Sequence, residues 1–246
     1  MTKTKKEILM KKTFRSLLSI IALLLALSLA LSGCDIILPT YDGNSHLKSA
    51  DLESIPAFDG ETPYVIINDN IPFFTEEEIV KVSFEEYGDL DGLGRCTIAF
   101  ACVGVDIMPT EDRGSIGSVK PSGWQTVKYD FVSGKYLYNR CHLIGYQLTG
   151  ENANKSNLIT GTRFLNIEGM LPFEDMVADY VQETENHVMY RVTPIFEGDN
   201  LLASGVLMEA WSVEDNGEGI CFNVYAYNAQ PGVIINYATG ESEAEK

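Results

Sequence analysis

Histidine is scarce in this chain, with three in 246 residues, and basic side chains are outnumbered, 18 Lys+Arg against 35 Asp+Glu, for a formal charge of −17. Such acidity taken alone argues against a nucleic-acid partner, whose affinity comes largely from neutralised phosphates. There is no glycine-rich phosphate loop of the P-loop kind, no internal repeat, and no C-x-x-C pairing of the type zinc sites use. The apolar run Leu17 to Leu31 is about 15 residues long, short of the roughly 20 that a membrane-spanning helix needs.

That short run has the flanks of an export signal. Lys3, Lys5, Lys6, Lys11, Lys12 and Arg15 precede it, and it ends in Leu31-Ser32-Gly33-Cys34. A basic start, an apolar middle and a small-residue exit describe a secretory signal, and the ending resembles the bacterial lipobox. Residues 1–33 are therefore expected to be a lipoprotein signal peptide, with Cys34 lipidated as the new N-terminus. The protein is then expected on the extracytoplasmic face of a bacterial membrane. Residues 34–62, with Pro39, Gly43, Pro56 and Gly60 and no sustained apolar period, read as the lipidated cysteine and a flexible tether. His46 falls there as a solvated residue.

Without residues 1–33 the chain holds 12 Lys+Arg against 34 Asp+Glu, a charge of −22, so the distribution of charge matters more than its sum. Residues 113–163 carry Arg113, Lys120, Lys128, Lys135, Arg140, Lys155 and Arg163 against Asp130 and Glu151 only, a local charge of +5. A basic island in an acidic protein can focus an anionic substrate. Cys96, Cys102, Cys141 and Cys221 remain for the folded part, as free thiols or with at most one bridge.

Residues 63–246 are long enough for one domain with a sizeable core, and their pattern predicts an α+β fold around a mixed sheet. Strands are expected at 64–67, 96–105, 157–160, 188–196, 201–213 and 220–227, with a hairpin over 126–138 leading into Asn139-Arg140-Cys141-His142. Thr75 and Glu78 have capping-box spacing and predict a short helix. Met170, Phe173, Val177, Tyr180 and Val181 recur at helical spacing and predict a helix over 170–183, with Pro172 in its first turn. Met108 to Trp124 is a long loop, a common place for function. Tyr146, Phe164 and Trp124 read as core aromatics, and Glu241 to Lys246 as a disordered tail.

Chemistry concentrates between Tyr136 and Glu174. Phosphodiester hydrolysis needs an activated water, neutralisation of charge on the phosphate and help for the leaving oxygen. His142 is the one histidine in the stretch, and a neutral imidazole takes a proton near pH 7. Mg²⁺ prefers oxygen ligands and keeps several waters, so one amide oxygen can be its only protein ligand.

The segment NRCH followed by LIGYQLTGENAN, NLITGTRFLN and EGMLPFE closely resembles the DNA/RNA non-specific endonucleases, with their ββα-metal (His-Me finger) motif, and especially their secreted DNA-entry branch. The likeness runs from about residue 108 to 240. It implies His142 as general base, Asn166 as metal ligand, Asn157 as the asparagine that stabilises phosphate or orients the base, and Glu174 as the carboxylate holding metal-bound water. Glu168 and Asp175 compete with Glu174 for that place. Arg140 matches the motif arginine expected on phosphate, and Arg113, Lys120 and Arg163 are further substrate-binding candidates. Two positions depart from the D-R-G-H pattern: Asn139 stands for the aspartate and Cys141 for the glycine. The implied activity is Mg²⁺-dependent cleavage of DNA and RNA, with Mn²⁺ able to substitute, leaving 5′-phosphate ends. The alternative is a lipoprotein that binds nucleic acid for uptake without cutting it.

Overall fold

The computed structural model describes residues 55–246. The signal segment, Cys34, His46 and most of the tether lie outside the described residues. Among the described residues no helix is long and apolar enough to cross a membrane.

Six strands form one antiparallel sheet in the order β1-β8-β7-β6-β3-β2. They are β1 (Tyr64–Ile66), β2 (Phe84–Tyr87), β3 (Ala99–Val103), β6 (Val188–Ile195), β7 (Gly205–Ser212) and β8 (Cys221–Tyr227). The strands expected at 64–67, 188–196 and 220–227 form with small trims, whereas 96–105 and 201–213 shorten at their ends. The central strands are buried on both faces because successive side chains alternate. On one face Val188, Tyr190, Val192, Val206, Met208, Phe222 and Val224 join the largest core cluster. On the other, Leu207 and Tyr225 meet one smaller cluster and Met189 another.

That second face also buries a charge. Arg191 pairs in a fork with Glu209, at 2.7 and 3.0 Å, and reaches Glu78 at 2.8 Å. Phe74 and Phe100 lie under its guanidinium, at 4.6 and 5.6 Å to their centroids. Here the sequence expectation for Glu78 needs correction. One carboxylate oxygen does reach back to the Thr75 N–H at 2.8 Å, as a capping box requires, but only a turn forms. Ile79 and Val80 run on and pack in the cluster around Met189, so Glu78 serves Arg191 rather than a helix.

Two further segments differ from expectation. The end of the tether is part of the domain: Phe58 packs on Tyr227 and Phe164, at 5.5 and 5.8 Å between centroids, and Tyr227 donates to the Pro56 carbonyl at 2.8 Å. The C-terminal tail is also ordered. Ser242–Ala244 (β10) pairs with Val233–Ile235 (β9), and Tyr129 and Ser242 hydroxyls meet at 2.9 Å.

The catalytic-type motif packs on the first face as a separate unit. Tyr138–His142 (β4) and Leu158–Thr162 (β5) form a two-stranded ribbon, joined by a short helix α1 (Tyr146–Thr149) and a 3-10 turn at Lys155–Asn157. The hairpin expected over 126–138 reduces to one bridge, Lys128 to Tyr136, because the chain after it pairs with β5 instead. After β5 the chain makes a π-helical turn, Leu165–Met170, that runs into α2, Leu171–Thr184. The Leu171 N–H bonds the Asn166 carbonyl, the i to i+5 pairing that defines such a turn. Pro172 sits in the first turn of α2 as expected. The four cysteines Cys96, Cys102, Cys141 and Cys221 are free thiols.

Candidate active site

His142 ends β4 and is nearly buried, 7% exposed. Its Nε2 lies 2.8 Å from the Asn152 carbonyl oxygen. A carbonyl only accepts, so Nε2 carries the proton and Nδ1 is left with a lone pair. Arg113 donates to that lone pair from Nη2 at 3.1 Å. Burial, with a smaller contribution from the Arg113 charge, pushes the imidazole pKa down to about 4 against the opposing effect of the Asn152 carbonyl. His142 is thus neutral at pH 7, with its basic nitrogen aimed away from the loop carbonyl.

A cavity of about 270 Å³ opens there, lined by Arg113, His142, Gln147, Asn166 and Glu174 among others. Glu174 reaches it from the first turn of α2 and is 8% exposed. Desolvation pushes its carboxyl up to about 8, and Asp175 adds to this, while Arg113 and the Gly145 N–H hold it down. Gly145 leaves the room: a Cβ there would stand 2.8 Å from the Glu174 Cδ. Glu168 and Asp175 do not line the cavity, and Asp175 accepts from Gln147 at 2.9 Å outside it. Asn166 stands on the π-helical turn, and among the described residues its side-chain amide has no hydrogen-bond partner. An open amide oxygen beside a carboxylate is a donor set that suits a hard cation taking its remaining ligands from water and phosphate. No group of three or more His, Cys, Asp or Glu able to hold a metal occurs among the described residues.

Other expected site residues take different places. Asn157 is fully buried, and its amide closes on the backbone of one residue, accepting the Ile144 N–H at 2.9 Å and donating to the Ile144 carbonyl at 3.0 Å. It fastens the chain just past His142 and has no reach to a phosphate. Arg140 is likewise committed, donating to the Val119 and Gly117 carbonyls and stacking at 4.0 Å over Trp124. It anchors the long loop that carries Arg113. Lys120 lines neither this cavity nor the neighbouring groove. Arg163 lines that groove, about 520 Å³, together with Trp124. Tyr146, expected in the core, lines the His142 cavity and bonds the Glu111 carbonyl at 2.8 Å. The carbonyl of Asn152 and the missing side chain of Gly145 had no signal in residue type, because a backbone atom and an absence do the work.

With this geometry in place, the family model for DNA/RNA non-specific endonucleases matches residues 76–214. The chain belongs to that family. As a family member it resembles the NucA nuclease of Streptococcus agalactiae solved with magnesium bound, at 24% identity and a TM-score of 0.66, over 76% of this chain and 91% of that one. It also resembles the Sda1 nuclease solved with a bound zinc ion, at 29% identity and a TM-score of 0.56, over 68% and 82% of the two chains. A deoxyribonuclease of Streptococcus dysgalactiae subsp. equisimilis is 27% identical over 209 residues, 68% of this chain, and the match spans 62% of that relative's length. The endonuclease family and these neighbours agree with the α+β architecture.

Proposed function

We propose that the chain is a membrane-anchored, extracytoplasmic endonuclease that hydrolyses DNA and RNA phosphodiesters with Mg²⁺, Mn²⁺ substituting. The observation that carries this reading is the fixed tautomer of His142, whose basic Nδ1 shares one cavity with Asn166 and Glu174. Asn166 would hold the metal, which would supply charge neutralisation at the phosphate and the 3′ oxygen.

The chain's own groups do the rest. Nδ1 of His142 takes a proton from water as its oxygen attacks phosphorus in line with the 3′ oxygen. The P–O3′ bond breaks, the 3′ oxygen takes a proton from solvent, and a 5′-phosphate and a 3′-hydroxyl remain. Arg113 covers Nδ1 in the free protein, so an arriving phosphate draws its guanidinium away and uncovers the base. The Glu174 carboxyl, ionised where a bound metal's charge offsets its desolvation, would order water in the cavity. Asn157 acts as a positioning residue by holding Ile144, and contacts made to phosphates rather than base edges leave sequence unread.

Digestion of plasmid and of RNA, with Mg²⁺, Mn²⁺ and EDTA compared, tests the reading. Cleavage of both polymers with either ion and none with EDTA is expected. Binding that survives EDTA, with no product under any condition, supports the non-cleaving receptor instead. For the anchor, Cys34→Ala should release the protein from the membrane fraction; retention there would reject lipidation.

A further inference from the structure

We propose that the groove beside the His142 cavity is a second phosphate subsite, where the Asn139 amide and the Arg163 guanidinium hold the phosphodiester next to the one being cut. This rests on the endonuclease reading of the His142 cavity.

The groove, about 520 Å³, is lined by Trp124, Tyr136, Asn139, Arg140 and Arg163 among others. Arg113 and Asn166 line both spaces, so the groove and the cavity adjoin. Two of its side chains carry buried donors with no acceptor: Nδ2 of Asn139 and Nε of Arg163. Burying an N–H without a partner is unfavourable, and native structures leave few such groups unexplained. A ligand that supplies acceptors satisfies both at once.

The chemistry of that ligand follows from what the groove holds and lacks. No acidic side chain lines it, and both orphans are donors, which fits the acceptor-only oxygens of a phosphate. A stacked base fits less well. The Trp124 ring already has the Arg140 guanidinium over it at 4.0 Å, and the Tyr136 ring has the Lys128 ammonium over it at 4.4 Å. Arg140 is itself spent on the Val119 and Gly117 carbonyls and Arg113 on His142, which leaves Asn139 and Arg163, beside the Asn166 amide shared with the cavity, as the donors without acceptors. The amide at 139 is thereby explained. A carboxylate in that place would meet the phosphate with like charge.

Thymidine trinucleotides test this when one of the two linkages is a neutral, uncleavable methylphosphonate, placed on the 5′ or the 3′ side. With Mg²⁺, the native protein should lose about tenfold in kcat/KM at the remaining bond for one of the two placements, mainly through KM, the scale of a hydrogen bond to a charged group. Asn139→Asp and Arg163→Gln should each raise KM on the all-phosphodiester trinucleotide and shrink the methylphosphonate effect. Equal rates for both placements and the unmodified trinucleotide overturn the subsite, and this readout needs no variant to fold. A methylphosphonate effect kept at full size in both variants overturns it too. Cleavage of none of these substrates, nor of plasmid, would instead sink the endonuclease reading.

Discussion

The two faces of the central sheet treat buried charge in opposite ways. Beneath one face Arg191 is 1% exposed, and hydrogen bonds tie it to Glu209 and Glu78 with two phenyl rings under its guanidinium. On the other side the cavity keeps His142 deprotonated, Glu174 protonated near neutrality, and two donors unpaired in the adjoining groove. A closed cluster stabilises the fold, since each charge meets its complement. An open one holds groups away from their preferred ionisation, which is useful only if something else arrives to complete it.

The largest expected effect breaks the open side. His142→Ala should lower the rate of plasmid cleavage at least ~10²-fold, the low end for a general base, with the melting temperature little changed; unaltered nicking by the purified variant would remove His142 from the mechanism. The matching break on the closed side is Arg191→Met. It strands Glu209 and Glu78 without their cation and should cost about 3–5 kcal/mol in urea unfolding. A loss under about 1 kcal/mol would mean the carboxylates are solvated or take up protons cheaply.

Acidity sharpens the contrast within the cavity. The folded pKa of His142 is depressed from 6.5 to about 4, so between those values the unfolded chain binds the extra proton and stability rises with pH. Glu174 is raised from 4.5 to about 8, so the folded chain binds the extra proton and stability falls as pH rises through that window. From about pH 4.5 to 6.5 the two slopes oppose each other. In EDTA, His142→Gln should expose the falling slope and Glu174→Gln the rising one, each up to about 1.4 kcal/mol per pH unit. Parallel pH profiles for the two variants would contradict these shifts.

The smallest effect concerns the thiols. Burial raises the pKa of all four, with Cys141 fully enclosed and Cys221 half-buried. A thiol reagent should modify Cys221 first and the other three only as the protein unfolds. Early modification of Cys141 would show the ribbon opening on its own.

Much of the fold was legible because its signals are local. The long β-prone runs became β6 and β8, and the spacing of Phe173, Val177 and Val181 became α2. For the candidate site, residue type pointed to His142 and Arg113 and the family resemblance to Asn166 and Glu174, and the fold brings all four around one cavity. What escaped were commitments made across the chain. Glu78 is spent on Arg191, 113 positions away, and the tail gains order from Val233–Ile235 and Tyr129. Asn157 and Arg140 have the right chemistry for phosphate, yet buried backbone groups at Ile144 and Val119 need partners and take them first.

The π-helical turn at Leu165–Met170 sets a phase. Its one extra residue shifts Asn166 around the helix axis relative to Glu174, and both then line the same cavity. Were the turn to relax to ordinary α-helical pitch with every residue kept, Asn166 would rotate by roughly 100° against everything downstream. The fold could absorb such a slip with α2 intact, while the amide that faces the cavity would turn toward a different neighbour. A single inserted residue thus works as a timing device, aligning two side chains eight positions apart on a helix that would otherwise present them out of step.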